Sequence, residues 1–215
     1  MAQAITGAGR PVLAEVGSEG DGAARLARQA MFVAAGVAAL TLAAKAQVPV
    51  WPSPVPVTLG TFAVLGLGAA YGPRLGLATI LAYMGLGALG ADVFAGSTSG
   101  ATGLAYMTGS TGGYLVGYVL ATVALGWLAR QGWDRSVGRM ALAMLLGNAL
   151  IYVPGLLWLH GLVAGGLFDP AAYASAWAQT LAWGVTPYLV GDAIKLALAA
   201  LLLPAAWRLV GRARG

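Results

Sequence analysis

The sequence predicts an all-α membrane protein with six transmembrane helices and both termini on the cytoplasmic side. Three observations lead there. First, 59% of the 215 residues are hydrophobic and 9% charged, with a mean hydropathy of +0.79, far from the charge content of a water-soluble domain. Second, hydrocarbon demands that backbone polar groups pair within the protein, and the apolar runs are too long and too unalternating for barrel strands, so the spans are helices. Third, the basic residues are distributed unevenly. Arg10, Arg25, Arg28, Arg74, Arg130, Arg135, Arg139, Arg208, Arg212 and Arg214 fall on segments that a cytoplasmic amino terminus places inside, while 49–57, 92–110 and 161–185 contain none. That asymmetry is the positive-inside pattern, and an even number of spans returns the carboxyl terminus to the same side.

Residues 1–28 hold Arg10, Glu15, Glu19, Asp21, Arg25 and Arg28 among Gly and Ala, with no apolar run ahead of a cleavage site, and read as a cytoplasmic polar tail. A six-helix membrane domain follows over 29–207, and 208–215 is a basic cytoplasmic tail. The spans fall at about 29–48, 58–72, 75–91, 111–129, 140–160 and 186–207, the second one short against the ~20 residues a bilayer requires. Between the first two, Pro49, Pro52, Pro54 and Pro56 make an extended loop, and Thr58 is placed to cap the next helix. Gly72-Pro73-Arg74 reads as a tight reversal, and 96–109, rich in Ser, Thr and Gly, as a longer loop. In the fourth span Gly113 and Gly117 form a GxxxG suited to packing within the bundle. Pro154-Gly155 bends or loosens the fifth span near its outer end. Thr186-Pro187 supplies an N-cap and a first helical residue for the sixth. Trp51, Trp158, Trp177 and Trp183 mark the outer boundary, with Trp127, Trp133 and Trp207 at the inner one.

Asp192 and Lys195 are the informative pair, because one turn of an apolar helix carries both signs. A lone Asp or Lys at mid-membrane costs roughly 3 kcal/mol on insertion scales, which argues for a use. At 1.5 Å per residue they lie roughly 8 to 12 Å below the outer end of the helix, on one face, offering an acceptor and a donor to a molecule bound between helices. The competing reading is a self-satisfied pair that serves packing only. Asn148 and Tyr152, four apart, need partners that a ligand or a neighbouring backbone would satisfy equally; Tyr114 and Ser97 are weaker candidates of the same kind. In the first span, Ala30, Ala34 and Ala38, and also Ala35, Ala39 and Ala43, form small-residue stripes that suit either a partner protein or internal packing. His160, the single histidine, lacks any surrounding metal-ligand set and reads as an interfacial residue.

Several functions are excluded. There is no cysteine, hence no disulfide, thiolate metal site or cysteine nucleophile. The net charge of +5 is scattered between spans and never forms a stripe with aromatics, which argues against nucleic acid. No GxSxG, Walker A or dinucleotide fingerprint is present, so neither catalysis nor a cofactor is expected, and energy for active transport must come from another protein or an ion gradient.

Five short motifs follow one another in order: 54–65 (PVPVTLGTFAVL), Gly72-Pro73-Arg74, 86–90 (LGALG) with 93–96 (VFAG), 111–114 (TGGY) and 187–195 (PYLVGDAIK). Together, over about 29–207, they resemble the BioY family, the biotin-specific substrate-binding (S) components of energy-coupling factor (ECF) transporters. The resemblance implies the ECF S-component fold, with biotin bound near the extracellular side and the loop after the first helix assisting. It implies membrane lipid as surroundings, an ECF transmembrane coupling protein and two cytosolic ATPase subunits as partners, and residence in the bacterial cytoplasmic (inner) membrane. Asp192 and Lys195 match the family's ligand-contacting acidic and basic residues, Tyr152 matches a ligand-contacting tyrosine, and Ala30, Ala34 and Ala38 map to the stripe that meets the coupling protein. An Asn and an Arg that some members use between the third and fourth helices have no counterpart; Ser97 and Thr111 lie nearby, and the partner of the ligand's carboxylate stays open. Alternatives are an S component for another vitamin or an ion-coupled carrier in which Asp192 relays protons.

Overall fold

The computed structural model describes residues 9–16, 22–51, 53–96, 100–166 and 173–213. Its framework is helical: α1 (Gly22–Lys45), α2 (Gly60–Ala88), α3 (Gly103–Met107), α4 (Gly112–Arg130), α5 (Val137–Ala164), α6 (Ala176–Gly184) and α7 (Leu189–Ala213). A two-residue antiparallel ladder, β1 (Gln47–Val48) with β2 (Val57–Thr58), pairs Gln47 with Thr58 and closes the Pro-rich turn between α1 and α2. Five stretches are long and apolar enough to cross a membrane, and two of them, Gly60–Ala88 and Ala176–Gly211, contain breaks.

The break in α2 is the expected reversal. Gly72 has φ 76° and ψ 177°, a region open essentially to glycine alone, and Pro73 follows it. The chain folds back here: a Cβ built on Gly76 would lie 3.6 Å from the Cα of Gly68. An unbroken helix would separate Thr61 from Tyr83 by about 33 Å, yet both line one cavity. The two arms, 60–71 and 73–88, are about 18 and 24 Å long, so the second and third expected spans stand as one helical hairpin.

Elsewhere the boundaries shift for identifiable reasons. α1 starts at Gly22, seven residues before the expected 29, because 22–28 is rich in the helix formers Ala, Leu and Arg. It stops at Lys45, since Gln47 and Val48 are drawn into the ladder. α5 continues as helix through Pro154 and reaches Ala164. Two short helices replace expected loop: α3 inside 96–109, and α6 inside 161–185, the latter capped by Ser175, whose hydroxyl accepts from the Ala178 N–H at 3.1 Å. The expected cap at Thr186 is absent. Its hydroxyl instead donates to the Leu181 carbonyl at 3.1 Å, and Thr186–Tyr188 forms a 3-10 turn leading into α7. Thr58 does accept from a helix N-terminal amide, that of Gly60, at 3.0 Å.

α4 sits at the centre, packed on both arms of α2 and on α5. The GxxxG contact is internal: a Cβ on Gly113 would meet the Pro154 carbonyl oxygen at 2.3 Å, and one on Gly117 the Ile151 Cα at 2.6 Å. The largest apolar cluster joins Leu65, Leu125, Met140, Met144 and Ile151 to Ala199 and Ala200 of α7. Trp51, Trp127, Trp158 and Trp177 are exposed, whereas Trp183 is buried, its indole N–H donating to Tyr173 at 2.9 Å; the expected boundary role does not hold for Trp183. His160 stacks on Trp177 with centroids 3.8 Å apart.

One end of the bundle collects the arginines. Residues 9–16 form a strap across it: Val12 is completely buried, the Arg10 amide donates to the Arg130 carbonyl at 2.8 Å, and Glu15 pairs with Arg130. Arg28 of α1 donates to the Val16 carbonyl at 2.7 Å, and Arg135 to the Pro11 carbonyl at 2.9 Å. Trp207 near the end of α7 donates to Asp134 in the turn Trp133–Arg135. The described parts of both terminal regions therefore meet at the same end.

Candidate ligand-binding site

At the end of the bundle opposite the arginines a cavity of about 70 Å3 is enclosed by α1, the segment 55–61, α4, α5 and α7. Phe94, Ala95 and Tyr106 form its shared wall with a vestibule of about 320 Å3 bounded by the C-terminal end of α1, the loop 91–96 and residues 100–106.

Asp192 and Lys195 form the polar end of the inner cavity. Each is less than a tenth exposed, and Lys195 Nζ lies 3.0 Å from Asp192 Oδ1. Lys195 also donates to Thr61 Oγ1 at 3.1 Å, and the Tyr152 hydroxyl donates to Asp192 Oδ2. An ammonium has three donors and a carboxylate about four acceptor positions. One Lys195 hydrogen and acceptor capacity on both Asp192 oxygens therefore stay available to a ligand. The ion pair is built by local spacing: positions three apart on α7 share a face, and that face looks into the bundle.

Around this polar end the walls are aromatic. Tyr83, Tyr106, Tyr114, Tyr118, Tyr152 and Tyr188 all line the cavity, six of the eight tyrosines in the chain. Tyr114 and Tyr152 meet edge to face, with centroids 6.3 Å apart, while Phe94 stacks on Tyr106 at 4.8 Å. The Tyr114 hydroxyl is committed to the Gly184 carbonyl at 3.1 Å, so this residue offers its ring rather than its oxygen. The roof is the Pro-rich segment: Val55, Pro56 and Thr58 face the cavity, and the buried Ser53 hydroxyl donates to the Trp183 carbonyl at 2.9 Å. The Tyr188 hydroxyl donates to the Val55 carbonyl and ties the roof to the start of α7.

Of the residues singled out in the sequence, Asp192, Lys195, Tyr152 and Tyr114 come together here. Asn148 does not line the cavity; it sits one turn before Tyr152 on α5, half-buried. Ser97 lies outside the described residues. Ala30, Ala34 and Ala38 are exposed on α1, as are Ala35 and Ala39, while Gly36, Val37, Leu40 and Ala44 make the buried face. Sequence reasoning missed Thr61, Tyr83, Tyr106, Tyr118 and Tyr188. A signal existed for Tyr118, four residues beyond Tyr114 and so on the same helix face; Tyr83 is brought in by the reversal at Gly72, Tyr106 by α3, Thr61 by the start of α2 and Tyr188 by the 3-10 turn before α7.

Comparison with known proteins agrees with this architecture. The family model described as "BioY family" matches residues 10–212. The probable biotin transporter BioY of Pyrococcus horikoshii is 35% identical over 176 residues, which cover 82% of this chain and 94% of that protein. The biotin transporter BioY of Thermotoga maritima is 29% identical over 171 residues, 80% of this chain and 92% of the relative. Among solved structures, the S-component for biotin from an ECF-type ABC transporter superposes with a TM-score of 0.66 at 19% identity, covering 88% of this chain and 95% of that one, which shows the same fold. On the extent of these matches, and with the ordered motifs carried by one helical bundle, the chain belongs to the BioY family.

Proposed function

We propose that this protein is the high-affinity biotin-binding subunit of a vitamin uptake system, delivering biotin across the cytoplasmic membrane together with an ECF coupling protein and two cytosolic ATPases. The observation that carries the reading is the Asp192–Lys195–Tyr152 cluster at the base of a tyrosine-walled cavity. Biotin has the complementary chemistry: a ureido ring with two N–H donors and one carbonyl, an apolar thioether bicycle, and a valerate chain ending in an anion. Asp192 accepts from the ureido nitrogens, Lys195 donates its remaining hydrogen, and the tyrosine rings bury the bicycle. A nanomolar Kd corresponds to about −12 kcal/mol, more than two polar contacts supply, so ring burial and closure of the roof over 53–58 must contribute much of the affinity.

The arginine-rich end faces the cytoplasm on this reading, so the cavity opens to the outside. Coupling is assigned to the exposed Ala30, Ala34 and Ala38 stripe of α1. The test is binding of tritiated biotin to the purified protein in detergent. Tight binding by the unsubstituted chain and its loss in Asp192→Asn support the site; undiminished binding by that variant rejects it. No saturable biotin binding together with saturable binding of labelled thiamine would assign a different vitamin.

A further inference from the structure

The chain has two lysines, and each borders a cavity: Lys195 the inner one, Lys45 the vestibule. All ten other basic residues are arginines, none of which lines either space. Lys195 is already engaged by Asp192 and Thr61, so the inner site carries a paired charge and offers an anion no net attraction. Lys45, the last residue of α1, holds Asp92 at 2.5 Å, and here the pair is open to water, with side-chain exposures of 35% and 79%. Such exposed pairs contribute little and exchange partners readily.

Position points the same way: the inner cavity and the vestibule are neighbours that share the wall of Phe94, Ala95 and Tyr106. With the ring end held by Asp192 and Lys195, a ligand chain that parts the Phe94–Tyr106 wall enters the vestibule, where Lys45 is the cation.

We propose that Lys45 receives the carboxylate of the bound ligand, and that Asp92 occupies this lysine in the empty protein and yields it on binding. This rests on the biotin reading and assigns the residue that selects the free acid. In the empty state Asp92 holds the lysine in place against the loop 91–96 and neutralises it; when the ligand anion arrives, the Asp92 carboxylate turns to water at little cost because it is already mostly exposed.

The test measures displacement of tritiated biotin from the full-length protein in detergent by two probes, free biotin and the neutral primary amide of biotin. The unsubstituted protein is expected to favour the acid by about two- to fivefold, the range of a solvent-exposed ion pair. In Lys45→Gln the preference collapses towards unity through weaker binding of the acid, while amide binding reports that the protein is folded and its inner site filled. Lys45→Arg retains the preference, and Asp92→Asn raises it by freeing the lysine. An acid-to-amide ratio unchanged in Lys45→Gln, or no preference in the unsubstituted protein, overturns this assignment alone. Failure of the unsubstituted protein to bind biotin at all overturns the assignment and the biotin reading together.

Discussion

Lys195 is less than a tenth exposed, and its ammonium sits between Asp192 and Thr61, so removing it strands a buried carboxylate. Breaking such a pair on one side costs about 3 to 5 kcal/mol, with the low end appropriate to a pair that borders a wettable cavity. Lys195→Met is therefore expected to lower the thermal midpoint in detergent sharply. The double variant Asp192→Asn/Lys195→Met should recover most of that loss, because neither charge is left alone. Ligand binding separates the two roles: on the proposed function the double variant stays unable to bind biotin although it is stable. A double variant that binds normally would reduce the cluster to a packing device. At the other end of the molecule Asp134 is 1% exposed, accepts from Trp207, and has a second oxygen with no partner among the described residues. Burial pushes its carboxyl above the ordinary range, against the lowering effects of Trp207, Arg135 and Arg10. A folded state that holds the proton more tightly than the unfolded chain gains stability below the ordinary carboxylate range and loses it as pH rises through the folded-state value. Asp134→Asn keeps an acceptor for Trp207 and never ionises. It should raise stability by about 1 kcal/mol at neutral pH, with the gain vanishing near pH 4. Equal unfolding midpoints of the two proteins at neutral pH would contradict this.

Gly72 decides whether 60–88 is one helix or two. Its φ of 76° with ψ of 177° is closed to residues with a Cβ, and the neighbouring Gly126 admits the turn because a Cβ there would lie 2.4 Å from the Pro73 nitrogen. Gly72→Ala is expected to destabilise the fold by about 2 kcal/mol or more, read as a lower unfolding midpoint. Gly66→Ala, where a Cβ meets open space on the same arm, should be neutral or better. Similar midpoints for the two variants would show that the hairpin does not depend on that backbone angle. The same residue shows what was legible in the sequence. Gly72-Pro73 announced the reversal because both residues act through local backbone sterics, which need no tertiary context. Asp192 and Lys195 were legible because charge inside an apolar helix is conspicuous. α3 and α6 were not, since a helix of five or nine residues has no length signal for a membrane span and takes its stability from packing on its neighbours. Most of the tyrosine wall was hidden for a related reason: Tyr83, Tyr106 and Tyr188 stand on three separate elements and meet only when the bundle forms.

Across the whole molecule α1 stands apart, with 11% of its membrane window buried against 56% for α4. It is nevertheless held at both ends, through Arg28 to the strap carbonyls of Ala14 and Val16 and through the β1–β2 ladder that follows Lys45. Its inward face contributes Leu40 and Ala44 to the cavity, while Ala30, Ala34 and Ala38 look away from the bundle. One helix thus bounds the ligand space on one side and, on the proposed function, meets the coupling protein on the other. A small-residue face lets a partner helix approach closely, and a bulky indole at its centre blocks that approach without touching the cavity. Replacing Ala34 and Ala38 together by Trp is expected to abolish copurification with the coupling protein, while biotin affinity in the isolated subunit changes by no more than about twofold, because the buried face of α1 is untouched. Retained copurification would move the partner contact to another surface. Loss of both properties would mean that α1 has been displaced from the cavity wall, and measuring the two on one preparation distinguishes a severed contact from a shifted helix.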